Sequence, residues 1–297
     1  MILYILYRIG HFLSLALPKE IAYGIASIIA DLYYSFARKD KKIVMNNIRV
    51  ITAGSVDGKD LDRMARDVFR NFAKYLADFF SFSKISQEYM NRYVKLEGLD
   101  NIDEALSKGR GVILLSAHIG NWELGGAVAS SAGYPLSGVV LTHQNKRIND
   151  FFTRQRLAGN VKPIEIGISL KSCYGLLKSN GILALLGDRD FTKSGIRIEF
   201  FGKRALIPKG PAVFSYRIGS AIVPIFMVRE DGDRFRLVAE GPIYPDRTEP
   251  EEESVRKVTK RYLAVIESYV RKYPTQWFIF KDIWNNDDES LRPDTII

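Results

Sequence analysis

The sequence predicts an α/β fold, a mixed central β-sheet flanked by helices, with an N-terminal helical segment that associates with membranes. Three observations carry this. From Tyr93 onward, short apolar runs alternate with segments of helical period. The chain begins with two strongly apolar stretches. A long stretch of helical periodicity lies between these regions. The expected organisation is a helical region over 1–92, with the membrane-associating part at about 1–37, followed by one continuous α/β region over 93–297.

Met1 to Leu17 is rich in Leu, Ile, Tyr and Phe but interrupted by Arg8 and His11, and Pro18 follows. It is short for a spanning helix, which needs about 20 apolar residues, and no small-residue cleavage site marks it as a signal peptide. Ile21 to Phe36 is again apolar and ends in Arg38-Lys39-Asp40-Lys41-Lys42, a cluster suited to anionic headgroups. The segment reads either as a monotopic anchor or as a buried helical hairpin. Leu61, Met64, Val68, Phe72, Leu76 and Phe79 recur at helical spacing, which predicts one amphipathic helix over Asp60 to Phe82. Its aromatic stripe is core, or partly the wall of an apolar pocket. Strands are predicted at Gly111 to Ala117, Gly138 to Leu141, Ile182 to Leu186, Ile196 to Phe200, Ala221 to Val228 and Phe235 to Val238. Glu249-Pro250-Glu251-Glu252-Glu253 opens a last helix running to about Lys272, with acids in its first turn and cations in its last.

Composition narrows the functional classes. The single Cys173 excludes an internal disulfide and sits in a helix-like stretch as a packed thiol. No Cys/His cluster has metal-ligand spacing, and no Gly-x-Ser-x-Gly elbow is present, so neither a metal site nor a serine-hydrolase site is expected. The net charge is +9, and between Lys193 and Arg217 six cations (Lys193, Arg197, Lys203, Arg204, Lys209, Arg217) face one anion, Glu199. This stretch either meets an acidic partner or is a solvated face. The chain carries no recognition-helix, zinc-finger or RNP-like pattern, so no nucleic-acid partner is expected.

The densest chemical signal is His118-Ile119-Gly120-Asn121-Trp122-Glu123, directly after the apolar run Gly111-Val-Ile-Leu-Leu-Ser-Ala117. α/β proteins place their chemistry at such strand ends. Residues five apart on a helix are separated by about 140°, so His118 and Glu123 can face each other only if the histidine precedes the helix that the glutamate enters. Gly120 permits a tight turn, Asn121 is a good N-cap, and Trp122 begins the helix. The expectation is a catalytic pair in which His118 is the general base and Glu123 orients its imidazole. Of the three histidines, His11 and His143 read as surface or interfacial residues.

Asn121 and Trp122 within the His-x4-Glu frame resemble the first motif of the lysophospholipid acyltransferase superfamily, in its lipid A biosynthesis acyltransferase branch. Further blocks follow in that branch's order: Gly187-Asp188-Arg189-Asp190, then Phe200-Phe201-Gly202, Ile207-Pro208-Lys209-Gly210-Pro211, the proline-bearing strand at Ala221 to Ile225, and Tyr273-Pro274-Thr275-Gln276-Trp277. Phe280-Lys281-Asp282-Ile283-Trp284 departs from the branch's usual His- or Arg-rich ending.

The resemblance implies a glycerolipid acyltransferase-like fold and an O-acyltransferase. It would move a fatty acyl chain from an acyl thioester, on acyl carrier protein or coenzyme A, to a hydroxyl of a membrane glycolipid, a lipid A precursor. The implied location is the cytoplasmic face of the bacterial inner membrane, with peripheral or N-terminal attachment to an anionic surface. No cofactor beyond the thioester co-substrate is implied. Beside His118 and Glu123, the resemblance assigns substrate contacts to Asn121, Trp122, Arg156, Asp188, Arg189, Lys209 and Gly210. Local sequence leaves a second role open for Arg189, an ion pair with Asp188 and Asp190. Oxyanion donors are expected from backbone N–H groups over Gly120 to Glu123 or in the Pro208-Lys209-Gly210 turn. Two rival readings are a thioesterase or lipid hydrolase using the same pair on water, and a non-enzymatic membrane adaptor.

Overall fold

A computed structural model describes residues 1–166, 170–191 and 194–284. The chain to Tyr93 is helical: α1 (Ile2–Ala16), α2 (Lys19–Phe36), α3 (Arg38–Ile51), α4 (Gly58–Phe79) and α5 (Gln87–Tyr93). There follow β1 (Val94–Glu97), α6 (Asp100–Ser107), β2 (Val112–Ser116), α7 (Trp122–Ser131), β3 (Leu136–Val140), α8 (Lys146–Ala158), β4 (Lys162–Glu165), α9 (Leu170–Lys178) and β5 (Ile182–Leu186). The order closes with β6 (Ile196–Phe200), β7 (Lys203–Ile207), α10 (Gly210–Ile218), β8 (Ala221–Arg229), β9 (Phe235–Ala239) and α11 (Glu251–Lys272).

Seven strands form one sheet in the order β1-β9-β8-β2-β5-β3-β4, and β6 and β7 form a separate antiparallel hairpin. Only the β8–β9 pair in the large sheet is antiparallel. The expected mixed α/β sheet is therefore present. β2 lies between β5 and β8 and all five of its residues are buried, as its unbroken apolar run requires of a central parallel strand. One face packs against α10 and α11 through residues such as Leu115, Ile222, Tyr262 and Ile266. The other packs beneath α7 and α8 through Leu114, Val128, Phe152 and Val223.

The periodic helix spans Gly58–Phe79, and the stripe from Leu61 is largely core, packed on α2, α3 and Phe278. The strand predicted at Gly138 to Leu141 is β3, which starts two residues earlier and ends one residue earlier. α1 and α2 expose much of their apolar surface, including Ile5, Phe12, Ile28, Leu32 and Phe36. Among the described residues, no helix is long and apolar enough to cross a membrane.

Candidate active site

The parallel pairing of β2 with β5 builds the centre of the site. Its register sets Ser116 opposite Leu186, so two residues further on His118 and Asp188 arrive side by side at the carboxyl ends of adjacent strands. The Asp188 Oδ1 lies 2.7 Å from His118 Nδ1. Its Oδ2 accepts from the His118 backbone N–H at 2.9 Å and from the Trp277 indole Nε1–H at 3.0 Å. Asp188 is fully buried and His118 nearly so. Burial pushes the Asp188 carboxyl up, but the neighbouring His118 and the three hydrogen bonds outweigh it and hold the group below the ordinary carboxylate value. Nδ1 is thereby engaged, which leaves Nε2 as the ring nitrogen available to the cavity that His118 lines.

This corrects the expected pairing. Glu123 does not hold the His118 ring. Its carboxylate pairs with Arg156, whose Nη2 and Nε lie 2.6 and 3.0 Å from Oε1, with a further Nε contact of 3.1 Å to Oε2. Both side chains are about nine-tenths buried, a setting in which an ion pair persists only when its geometry satisfies both charges. The physical reason lies in the turn. Asn121 caps α7 by accepting from the Leu124 N–H at 3.0 Å, which starts the helix at Trp122. The side chain of Glu123 then meets Arg156 on α8, which packs its guanidinium against Phe79 and Phe152.

Asn121 was expected to contact substrate; it is buried, does not line the cavity, and donates instead to Asp78 Oδ2 at 3.0 Å. Asp78 also accepts from Tyr23 and from Arg229 Nη2, at 2.6 Å in the latter case, so the cap is anchored in a buried cluster that includes α2. Asp188, the other expected substrate contact that does not line the cavity, is fully buried and bonded to His118 instead; Trp122, Arg156, Arg189, Lys209 and Gly210 do line it, with Glu123. Trp122 stacks on Tyr75 at 4.4 Å and meets the His118 ring edge to face at 5.2 Å. Arg189 lies over Phe191, and burial pushes its guanidinium down from its usual value against the upward pull of Asp188. Within the basic stretch, Arg217 pairs with Glu251 at 2.9 Å and Lys193 lies outside the described residues.

Gly120 holds the loop after β2 close to the sheet. Its φ is +62°, and a Cβ there would sit 2.0 Å from the Met227 carbonyl oxygen. The Gly120 N–H donates to Gln276 and the Asn121 N–H to Met227, at 2.8 and 2.7 Å. These two N–H groups are therefore spent and cannot serve an oxyanion. The carbonyl of His118 accepts from the Phe278 N–H at 2.7 Å, so the Gln276–Phe278 segment straps the loop. Trp277, which closes the block Tyr273 to Trp277, donates to Asp188, a contact that the residues around His118 do not signal.

The cavity itself is about 1070 Å³, at the top of the usual range of roughly 300–1,000 Å³ for small-molecule sites. Beneath α7 its wall is apolar, formed by Leu114, Gly126, Leu136, Ile225 and Met227, while Arg189, Lys209 and Glu252 stand at its polar side. Among the described residues, no group of three His, Cys, Asp or Glu side chains could hold a metal ion. The arrangement is a carboxylate-held imidazole on the wall of one cavity lined by both apolar and charged side chains.

The sequence is similar to those of known acyltransferases. A phosphatidylinositol mannoside acyltransferase of Mycolicibacterium smegmatis is 24% identical over 285 residues, covering 95% of this chain and 91% of that protein. The Mycobacterium tuberculosis H37Rv protein of the same name is 25% identical over 232 residues, with 75% and 71% covered. The lipid A biosynthesis palmitoleoyltransferase of Escherichia coli K12 is 23% identical over 266 residues, with 88% and 84% covered. The description "Bacterial lipid A biosynthesis acyltransferase" matches residues 1–286, and the chain belongs to that family of acyltransferases.

Proposed function

We propose that this chain transfers a fatty acyl group from an acyl thioester, carried by acyl carrier protein or coenzyme A, to a hydroxyl of a membrane glycolipid, with a lipid A precursor as acceptor. The observation that carries the reading is the His118–Asp188 pair beside a cavity of about 1070 Å³ with largely apolar walls. In this mechanism Asp188 accepts the Nδ1–H and keeps Nε2 unprotonated. Nε2 takes the proton of the acceptor hydroxyl as its oxygen attacks the thioester carbonyl. The tetrahedral intermediate collapses, the C–S bond breaks, and the imidazolium returns the proton to the departing thiolate. Asp188 balances the transient ring charge. The acyl chain lies along the apolar lining of the cavity formed by Leu114, Leu136, Ile225 and Met227, and the Glu123–Arg156 pair fixes the position of α7 against α8. Oxyanion donors come from the first turn of α7 beyond Asn121 or from the turn that opens α10, both of which wall the cavity.

The protein works on a membrane surface in this reading, lying on it through the exposed apolar stripes of α1 and α2. The names of the relatives include two acceptor types, lipid A and phosphatidylinositol mannoside, so the acceptor is the part to be tested first. Purified protein with acyl-carrier-protein and coenzyme A thioesters should acylate a lipid A precursor, detected as a mass increase by one acyl chain. His118→Ala should reduce that product by about 10² to 10⁴. Acyl loss from the donor at the same rate without any acceptor would instead identify a thioesterase.

A further inference from the structure

We infer that the cleft between α2, α3 and α4 is a binding site for the headgroup phosphate of an anionic phospholipid. This inference rests on the proposed membrane contact of α1 and α2 and gives that contact a specific lipid. The cleft is a concavity of about 510 Å³ remote in sequence from the catalytic loop, and five cations line it: Arg38, Lys41, Lys42, Arg49 and Arg66.

Charge accounting separates these five. Lys41 is held by Asp62 at 2.5 Å and Arg49 by Asp57 at 3.1 Å. The neighbouring Asp31 is occupied by Arg70 at 2.6 Å. Arg38, Lys42 and Arg66 have no carboxylate within ion-pair distance among the described residues, and all three are exposed. Three like charges turned toward one cleft repel one another, and an anion with several acceptor oxygens relieves that repulsion.

The second property is the continuity of this cleft with apolar surface. Ser35 lines it, and the next residue, Phe36, is 76% exposed; Leu32, one turn back on α2, is 62% exposed. A ligand that fills the cleft with phosphate therefore has an exposed apolar stripe beside it for its tails. A soluble phosphate would use the cations and leave that stripe bare. Anionic phospholipid satisfies both.

The test compares binding of the full chain to vesicles of phosphatidylcholine alone and of phosphatidylcholine with phosphatidylglycerol. The triple variant Arg38→Gln/Lys42→Gln/Arg66→Gln is set against a control with the same charge change, Lys162→Gln/Lys178→Gln/Lys260→Gln, on β4, α9 and α11. At roughly fivefold per cation, the first should lose about a hundredfold of its partitioning onto phosphatidylglycerol vesicles and keep its binding to neutral ones. The control should lose less than about tenfold. Equal losses in the two variants would reduce the effect to bulk charge and overturn the site. Tight binding of inorganic phosphate without vesicles would overturn the lipid assignment. A wild-type chain that binds neither vesicle would refute the docking of α1 and α2 as well.

Discussion

Replacing Asp188 with Asn tests the pairing at the centre of the proposed mechanism. Its Oδ2 receives two N–H donors, from the His118 backbone and the Trp277 indole. In Asp188→Asn the amide oxygen must stay there, because the amide nitrogen would face two donors. The amide NH2 then points at His118 Nδ1, which must accept, and the ring proton moves to Nε2. The imidazole is held in place but in the tautomer that cannot take a proton from an acceptor. A carboxylate-to-amide exchange beside a catalytic histidine costs about 10⁴ in kcat where it enforces the wrong tautomer, or roughly 5 kcal/mol of barrier. We expect a loss of at least about 10² with KM for the thioester little changed, measured as acceptor-dependent thioester consumption, and near-native circular dichroism. Glu123→Gln should act differently. It weakens a buried ion pair with Arg156, so its effect should appear chiefly as a lower melting temperature, with a smaller loss of kcat. An Asp188→Asn enzyme within threefold of wild-type kcat, beside a Glu123→Gln enzyme a hundredfold down, would refute the assignment and restore Glu123 as the orienting acid.

Further outcomes follow from single contacts. Gly120→Ala should destabilise the chain by more than about 2 kcal/mol, since it adds a Cβ at positive φ against the Met227 carbonyl; a melting temperature unchanged from wild type would contradict the strap geometry. Lys19, whose ammonium burial pushes down to about 8 from 10.5, holds its proton to higher pH in the unfolded chain. Its contribution to stability should therefore rise as pH increases from about 8 toward 10, and Lys19→Met should flatten that rise in denaturant titrations. Asp188 runs in the same direction at acid pH: its depressed carboxyl contributes fully above the unfolded value of about 3.9 and loses that contribution as pH falls through its folded value. Ser116 makes no hydrogen bond to His118, so kinetics should be sequential, and radiolabelled donor alone should leave no acyl group on Ser116 or Cys173; a stoichiometric adduct discharged by acceptor would establish a two-step route.

The parts of the fold legible in the sequence are those in which local composition and burial coincide. β5 and β6 match their predicted limits because the first is an unbroken apolar run between Gly181 and Gly187 and the second an alternating run that begins after Gly195. β1, β4 and β7 were not legible. β1 and β4 are four-residue edge strands, and Pro163 lies inside β4. β7 opens with the exposed Lys203 and Arg204, so its buried Ala205 and Ile207 were hidden within a basic stretch. α3 was hidden in the same way: its opening cations drew attention from the face formed by Val44, Ile48 and Ile51.

The site divides along a similar line. The turn, the cap and the helix start were readable because Gly120, Asn121 and Trp122 act on their own backbone. Which acid holds the imidazole was not, because that depends on a neighbouring strand seventy residues away. A sequence-level signal did exist. The runs ending at Ser116 and Leu186 are each followed by one small residue and then a titratable one, Ala117-His118 and Gly187-Asp188. In adjacent parallel strands of equal register, those offsets bring the two side chains to the same level, whereas five residues along one chain decide only that Glu123 lies somewhere on the first turn of a helix. The spacing His-x4-Glu therefore encodes a loop that ends in a capped helix with an acid available to α8, and the partner of the histidine is written in the pairing of two strands.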